Sequence, residues 1–564
     1  MMGALPAATT KRERWRRGAL AGLLAGILAT VLMLLLSLTM GSVSLPEALG
    51  SAIAQSLPLP VFDYLHATLG GDAKHYLLYI ILIGQCLVFA LFGGLCNLLV
   101  DRLNFGQWRD EQGDLNYGVG LLLAFVLWLF SGLIFLPLTG SGVFGAQLAT
   151  GAFNTMVSLA VTGVVYGMLF IFLHNWLTWR LLRRTASSDQ ETADVLESKR
   201  IERRSLIRNG LVVLGLGTLG VAAWRFISGV GGGGTGGTAD AQTQSNLLDK
   251  YQQKISPPPQ PVYGEWQPVP GLSPEITSNE QFYGVSKNLV SDPSVKGDDW
   301  ELMVDGLVSQ PYTMSYKELL ALPTHRQYES MMCISNEVGG SYMSNALWEG
   351  IALKDLLARA GTIKPGATKV VLYAADSYSD SIHLAKALEP TTMVAIKMNG
   401  ETLPTSHGYP ARLLVPGIYG MKHVKWITRI QVVNTDYQGY WQQNGWSDPA
   451  PIKMTSRIDT PTYGSKISAG KQTYIAGVAF SGNKGISQVE VSLDGGKSWQ
   501  KANLRRPLSA LTWVLWELPW QPAAGSYSIV VRATDLQGNV QDPHIASPLP
   551  NGSSGYHTVP ITVA

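Results

Sequence analysis

Cysteine is scarce in this chain: 564 residues hold only Cys86, Cys96 and Cys333. Cys86 and Cys96 share one apolar segment and are too far apart along a helix to bond, so no disulfide framework is implied. Charge is sparse as well. Asp, Glu, Lys and Arg make up 15% of the residues and the formal net charge is +3, with no basic stripe on a soluble segment, so nothing argues for a nucleic-acid partner. Length excludes a single core, since cores rarely grow past roughly 250–300 residues.

The hydrophobic content of 46% is abundant but unevenly spread. Apolar runs fill 18–40, 77–100, 117–138 and 152–177, each near the roughly 20 residues a helix needs to cross a bilayer. A buried helix of a soluble protein normally keeps a polar face, and these runs have almost no internal charge. A weaker, Gly-rich run at 210–228 makes a fifth candidate. Residues 1–229 therefore read as an α-helical transmembrane bundle of about five helices.

Basic residues set the expected orientation. Lys11, Arg12, Arg14, Arg16 and Arg17 hold the N-terminus in the cytoplasm, as do the many arginines of 178–209 for that segment. The loop 41–76 has only Lys74, and 139–151 has no charge, so both read as outside. Five crossings place everything after 230 on the extracytoplasmic side of the cell membrane, and losing the fifth would reverse this. The stretch Glu202 to Arg208, with Arg203-Arg204 before a weakly apolar segment, is similar to a twin-arginine export signal. Residues 230–274 read as a linker, with a flexible Gly229–Gly237 tether and a stiffer Pro257-Pro258-Pro259 spacer.

From 275 the pattern is α+β with short elements. Asp299 to Gly306, Lys369 to Ala374 and Ile427 to Val433 have strand character. Ser315 opens a short helix as its cap, and Leu353 to Ala360 forms another that closes on Gly361. After about 455, alternating strands with turn residues between them, such as Ser487 to Leu493 before Asp494-Gly495-Gly496, predict an all-β immunoglobulin-like sandwich over 455–564.

Cys333 stands alone in Met331-Met332-Cys333-Ile334-Ser335-Asn336, followed by two basic clusters, His407-Gly408-Tyr409-Pro410-Ala411-Arg412 and Lys422-His423-Val424-Lys425-Trp426. Singly, such a thiol is most often a small buried hydrophobe, and such lysines are most often solvated. The ordered set as a whole resembles the sulfite oxidase family of molybdopterin enzymes over about 275–550. Supporting matches are Phe282-Tyr283, Ser286-Lys287-Asn288 and Gly439-Tyr440-Trp441-Gln442.

The resemblance implies a sulfite-oxidase-type molybdopterin-binding catalytic domain at 275–454 and a dimerisation domain after it. It implies a Mo-molybdopterin cofactor with Cys333 as metal ligand and catalytic centre. Tyr283, Ser286, Lys287, Asn288, Asp376, His407, Arg412, His423, Val424 and Lys425 would hold the cofactor, Arg412 through its planar fork and Lys425 as a point charge. Soft thiolate ligands suit such a metal, and the implied chemistry moves an oxygen atom and two electrons.

Two positions depart from the family's pattern. Glu337 stands where sulfite oxidases carry an arginine, and Trp446 where they place a tyrosine near the metal. A carboxylate disfavours an anionic substrate, so a neutral or cationic small molecule, or reduction of a sulfoxide or N-oxide, gains ground. Haem would need paired histidines facing across helices. His66, His75 and His174 lie near expected helix ends, so no haem is expected. The implied partners are a small-molecule substrate, an external electron donor or acceptor, the membrane and a second copy of the chain. A membrane receptor that kept the fold without the cofactor is the competing class.

Overall fold

The computed structural model describes residues 10–40, 42–57, 73–103, 108, 114–146, 151–185, 269–289 and 291–564, with isolated positions between 61 and 69. The expected span at 210–228, the twin-arginine-like stretch, the glycine tether and the proline spacer lie outside the described residues.

The four long apolar runs are helical. The elements are α1 (Lys11–Met40), the shorter α2 (Leu45–Ser56), α3 (Ala73–Leu103), α4 (Tyr117–Phe130) and α5 (Gly151–Thr185). A π turn at Ser131–Phe135 carries α4 on to Leu138. Four of these helices, all but α2, are long and apolar enough to cross a membrane by length and composition. The sequence reading had only a loop where α2 lies. Its cap is local, with Ser44 Oγ accepting from Glu47 N at 3.3 Å, and it is too short to register as an apolar run.

Packing in the bundle inverts the soluble pattern. α1 turns Gly18, Ala21, Gly22, Ala25 and Ala29 inward, while Leu24, Leu28, Val31 and Leu35 face outward. A Cβ on Gly18 would strike Gly93 O, and one on Gly22 would strike Phe89 O. Small residues thus set the close approach of α1 and α3, as van der Waals packing between apolar helices favours. Two interior amides find acceptors: Gln85 Nε2 donates to Thr30 Oγ1 at 2.8 Å and Asn97 Nδ2 to Arg14 O at 2.7 Å. Asn175 brackets Leu115, accepting its N–H and donating to its carbonyl, both at 3.0 Å. His174 is buried beside Asn175 rather than at a helix end, because α5 runs on to Thr185.

The remaining described chain is β-rich. Its first part contains β1 (Glu301–Gly306), β2 (Tyr312–Ser315), α6 (Tyr316–Leu320), β3 (His325–Met332), β4 (Met343–Ala352), α7 (Leu353–Arg359), β5 (Lys369–Ala374), β6 (Ser379–His383), α8 (Leu384–Ala387), β7 (Met393–Met398), β8 (Glu401–Thr402), β9 (Arg412–Leu414) and β10 (Ile427–Val433). One sheet runs β2-β1-β10-β5-β6, with β1 and β10 parallel. The other runs β3-β4-β7-β8, with β9 on β7. A single core joins them, with Leu302, Val370 and Ile430 from one and Trp348, Val394 and Leu413 from the other. Ser315 and Glu318 form the full reciprocal cap on α6, and Gly361 follows α7 at φ +76°, as the local sequence predicts.

The C-terminal domain has β11 (Thr455–Thr460), β12 (Thr473–Phe480), β13 (Ile486–Ser492), β14 (Gln500–Lys501), β15 (Asn503–Leu504), β16 (Val514–Trp520), β17 (Gly525–Asp535) and β18 (His557–Val563). They form two antiparallel sheets, β11-β12-β16-β15 and β14-β13-β17-β18, that share the core of Ile475, Trp516, Val489, Val531 and Ile561. The segment between β15 and β16 covers the open edge of β3. Ser330 N donates to Leu511 O at 3.0 Å, Trp513 N to Ser330 Oγ at 2.8 Å, and Ser509 Oγ to Tyr328 O at 2.6 Å. An edge strand is thereby paired on both sides, which fixes the strand that ends at Cys333.

Candidate functional site

β3 is not an alternating strand: every residue from Tyr328 to Met332 is buried. Cys333 follows it, its N–H donating to Tyr342 O at 3.0 Å while its carbonyl accepts from Asn336 N at 3.1 Å. Asn336 Oδ1 closes the turn by accepting from Tyr342 N at 2.8 Å. The thiol is buried, 3.0 Å from Ser335 Oγ, and burial raises its pKa although that contact opposes the shift. With nothing bound it is therefore a neutral thiol at physiological pH. Glu337, in the same turn, is exposed. Trp446 stacks on Trp441 at 4.3 Å in the apolar cluster that holds Met332 and Ile334, the residues flanking Cys333.

The first basic cluster leads into β9, which begins at Arg412, and the second lies on the crossing from β9 to β10. Arg412 is buried with its ring-like fork already committed: Nη1 donates to His407 O at 3.0 Å, and Nη2 to Met331 Sδ at 3.3 Å and His423 O at 3.4 Å. Its guanidinium lies 5.2 Å from the centroid of the Trp348 ring. Only Nε is left without a hydrogen bond among the described residues, so Arg412 does not offer the open fork that the sequence led us to expect. Burial lowers its pKa to about 10.

His423 and His407 are held in place by backbone carbonyls. His423 Nε2 lies 3.2 Å from Ile418 O, and His407 Nε2 lies 2.7 Å from Asn279 O. A carbonyl can only accept, so each Nε2 carries the proton. Burial depresses both pKa values, to about 3 for His423 and about 4 for His407, leaving both rings neutral. Lys425 donates to Ser406 O at 3.0 Å, lies over the Trp426 ring and is 3.9 Å from Asp292. Val424 is core, its carbonyl accepting from Leu413 N at 2.8 Å. Asp376 sits in the turn before β6, where Ala375 N donates to Trp426 O at 2.9 Å, so the turn adjoins the Lys425 segment.

Tyr283 completes the enclosure. A Cβ on Gly420 would lie 2.6 Å from its hydroxyl, which makes residue 420 the close-approach point of the loop. Tyr283 acts electrostatically on both Cys333 and Arg412, and burial holds its pKa well above the ordinary range. Cys333, Tyr283, Arg412, His407 and His423 thus converge, with Lys425 and Asp376 alongside. Lys287 and Asn288 belong to the compact helical unit, where Lys287 Nζ lies 3.3 Å from Asn288 Oδ1.

Two sets of residues escaped the sequence reading. Glu329, on β3, is buried, with Oε2 accepting from Gln327 Nε2 at 2.7 Å and Oε1 facing His423 Nδ1 at 3.9 Å. Burial pushes its pKa up to about 8, against the pull of Arg412 and Lys386. Lys422, read as solvated, is instead buried: Nζ donates to Asp380 Oδ1 at 2.8 Å, Ser381 O at 2.9 Å and Asp448 Oδ1 at 2.9 Å. Lys369 continues the network, donating to Asp448 Oδ2 at 2.7 Å and Asp436 Oδ1 at 2.5 Å. A cavity of about 150 Å³ beside it is lined by Lys369, Lys422, Asp448, Lys386 and His383. Three acceptors around each of Lys369 and Lys422 use up their N–H groups, so the network clamps the chain immediately before His423.

Residues 290–441 match the family model described as the oxidoreductase molybdopterin binding domain, and residues 450–563 the Mo-co oxidoreductase dimerisation domain. The chain is 30% identical to sulfite oxidase of Gallus gallus over 321 residues, 48% of this chain and 69% of that one. It is 32% identical to the mitochondrial sulfite oxidase of Homo sapiens over 352 residues, 53% of this chain, and spans 64% of that protein's length. Among solved structures, the sulfane dehydrogenase SoxCD of Paracoccus pantotrophus is similar, 24% identical with a TM-score of 0.46, over 59% of this chain and 96% of that one. The site, the two family models and the sulfite oxidase relatives define a molybdopterin-binding oxidoreductase domain. The chain belongs to the sulfite oxidase family.

The residues present suit that cofactor. Four enclosed polar atoms have no hydrogen-bond partner among the described residues: Tyr283 Oη, Glu329 Oε1, Arg412 Nε and His423 Nδ1. Buried polar atoms are almost always paired in native proteins, and a heterocycle rich in donors and acceptors supplies partners for such a set.

Two predictions concern stability. Lys422→Met leaves Asp380 and Asp448 short of their cation, and loss of one partner of a buried pair costs about 3–5 kcal/mol, to be read from urea unfolding. In cofactor-free protein, the folded state keeps a proton on Glu329 that the unfolded chain releases. The contribution of this group is therefore full below its ordinary value of 4.5 and is lost as pH rises through about 8. Melting temperatures at pH 6 and pH 9 should show a smaller drop for Glu329→Gln than for the unaltered protein.

Proposed function

We propose that the chain is a membrane-anchored oxidoreductase whose Mo-molybdopterin centre would give an oxygen atom to a small molecule while taking two electrons from it, or the reverse, with water balancing the oxygen and an external acceptor or donor the electrons. The observation that carries this reading is the buried Cys333 thiol, fixed at the end of a doubly paired strand within a ring of unpartnered polar atoms. The bound group would supply the redox chemistry, alternating between two oxidation states of the metal. Cys333 would be the protein's ligand to that metal, giving up its proton on binding, as metal-bound thiols do. Tyr283, His407, Arg412, His423 and Lys425 would hold the organic part, with the Val424 backbone and Asp376 shaping its edge. Ser286, Lys287 and Asn288 remain candidates from the family match alone.

The four apolar helices support anchoring in a membrane, and the basic N-terminus with the arginine-rich 178–209 segment supports a cytoplasmic face for both. On that reading 1–229 is the membrane domain, 230–274 the linker and 275–454 the extracytoplasmic catalytic domain, exported by a twin-arginine route. The domain at 455–564 is read as an immunoglobulin-like sandwich through which two copies pair, and an external donor or acceptor exchanges electrons with the centre.

For the substrate, exposed Glu337 sits in the metal-bearing turn and sets a negative charge at its open side. That favours neutral or cationic substrates over sulfite, including sulfoxides and N-oxides in the reductive direction.

Two measurements test these assignments. Protein made in a cofactor-competent host should contain molybdenum and pterin, and Cys333→Ser should lose oxygen-atom transfer with dye donors and acceptors. A variant with full activity would rule out Cys333 as ligand. Glu337→Arg should raise kcat/KM for sulfite relative to a neutral sulfoxide by about tenfold, the effect of reversing one charge near the substrate.

A further inference from the structure

Glu329 and His423 present two unpartnered atoms to each other across a gap that neither closes. The separation of 3.9 Å between Oε1 and Nδ1 exceeds a hydrogen bond. One atom placed about 2.8 Å from both would subtend about 90° between them, an angle that a water, a hydroxyl or an amino group can serve. His423 Nε2 carries the ring's proton because it faces the Ile418 carbonyl, so Nδ1 can only accept. The missing partner is therefore a donor. Towards Glu329 it can donate to the carbonyl oxygen or accept from the protonated carboxyl.

A permanently empty gap would be costly. Oε1 and Nδ1 are both fully enclosed, and an unsatisfied buried polar group destabilises a fold by its whole desolvation penalty. Leucine at residue 329 would avoid that cost in a strand buried on both faces. The charged and titratable groups around the pair are Arg412 from β9, Lys386 from α8 and His423 itself, with Tyr283 facing Arg412.

We propose that Glu329 is a cofactor-holding residue that, together with His423, grips one N–H-bearing edge of the bound heterocycle. This assignment rests on the molybdopterin reading above. Gln327 is its support: Nε2 donates both to Glu329 Oε2 at 2.7 Å and to Thr391 O at 2.9 Å, which pins one carboxyl oxygen and aims the other at the gap.

The assignment predicts effects of opposite sign with and without cofactor. In full-length protein from a host unable to make the cofactor, Glu329→Leu should melt no lower than the unaltered chain, because it removes an unsatisfied buried atom. In holoprotein the same change should speed release of the pterin, followed by its fluorescence, by about tenfold, equivalent to about 1.4 kcal/mol. Glu329→Gln keeps a carbonyl oxygen and should restore slow release. A purely structural Glu329 gives the reverse pattern: Glu329→Leu melts lower without cofactor yet releases pterin at the unaltered rate, and that result overturns the proposal. Should Glu329→Leu not fold, Glu329→Ala takes its place: pterin release about tenfold faster than from Glu329→Gln supports the proposal, and release from both at the unaltered rate overturns it. Unaltered protein that carries no pterin at all overturns the molybdopterin reading itself, and this assignment with it.

Discussion

A polar atom shut away from water must find a hydrogen bond or cost the fold free energy, and the side chains grouped with Cys333 include four such atoms that have none among the described residues. Everything nearby is built to hold those atoms still rather than to pair them. β3 is fixed on one side by β4 and on the other by the 509–513 segment. Arg412 spends its fork on backbone carbonyls and a thioether, and both histidines are locked through Nε2. The result is a rigid enclosure whose remaining hydrogen-bonding capacity points inward. Such preorganisation suits tight retention of a cofactor, because the cost of ordering the site is met on folding.

Charge in this region is used for architecture more than for attraction. The alternating run Asp436, Lys369, Asp448, Lys422 and Asp380 reaches from an exposed carboxylate to a fully buried one. It passes through Lys422, the residue before His423, so the network sets the position of that ring. Lys425, by contrast, stays close to the surface, where an ammonium keeps its value as a point charge. Two lysines three residues apart therefore do different work, and their spacing gives no hint of it.

Much of this was legible in the sequence, unevenly. The long helices follow from hydropathy alone, and the short cap and stop signals at Ser315 and Gly361 placed α6 and α7. The convergence of Cys333, Tyr283, His407, Arg412 and His423 followed from an ordered family pattern, since these residues are far apart in the chain and no local rule links them. α2 went unseen because it is short and its cap is a single serine. Glu329 went unseen because an acid in a strand normally marks the solvent face, and only a strand covered on both faces places it inside. The open fork expected of Arg412 failed for a related reason: sequence names the donors but not the acceptors that folding brings to them.

The central claim is that Cys333 is the protein's ligand to molybdenum, and X-ray absorption at the molybdenum edge of purified holoprotein tests it most directly. The account predicts three sulfur neighbours, two from the cofactor's dithiolene and one from Cys333, falling to two in Cys333→Ser protein that still carries the cofactor. An unchanged sulfur shell in that variant would contradict it.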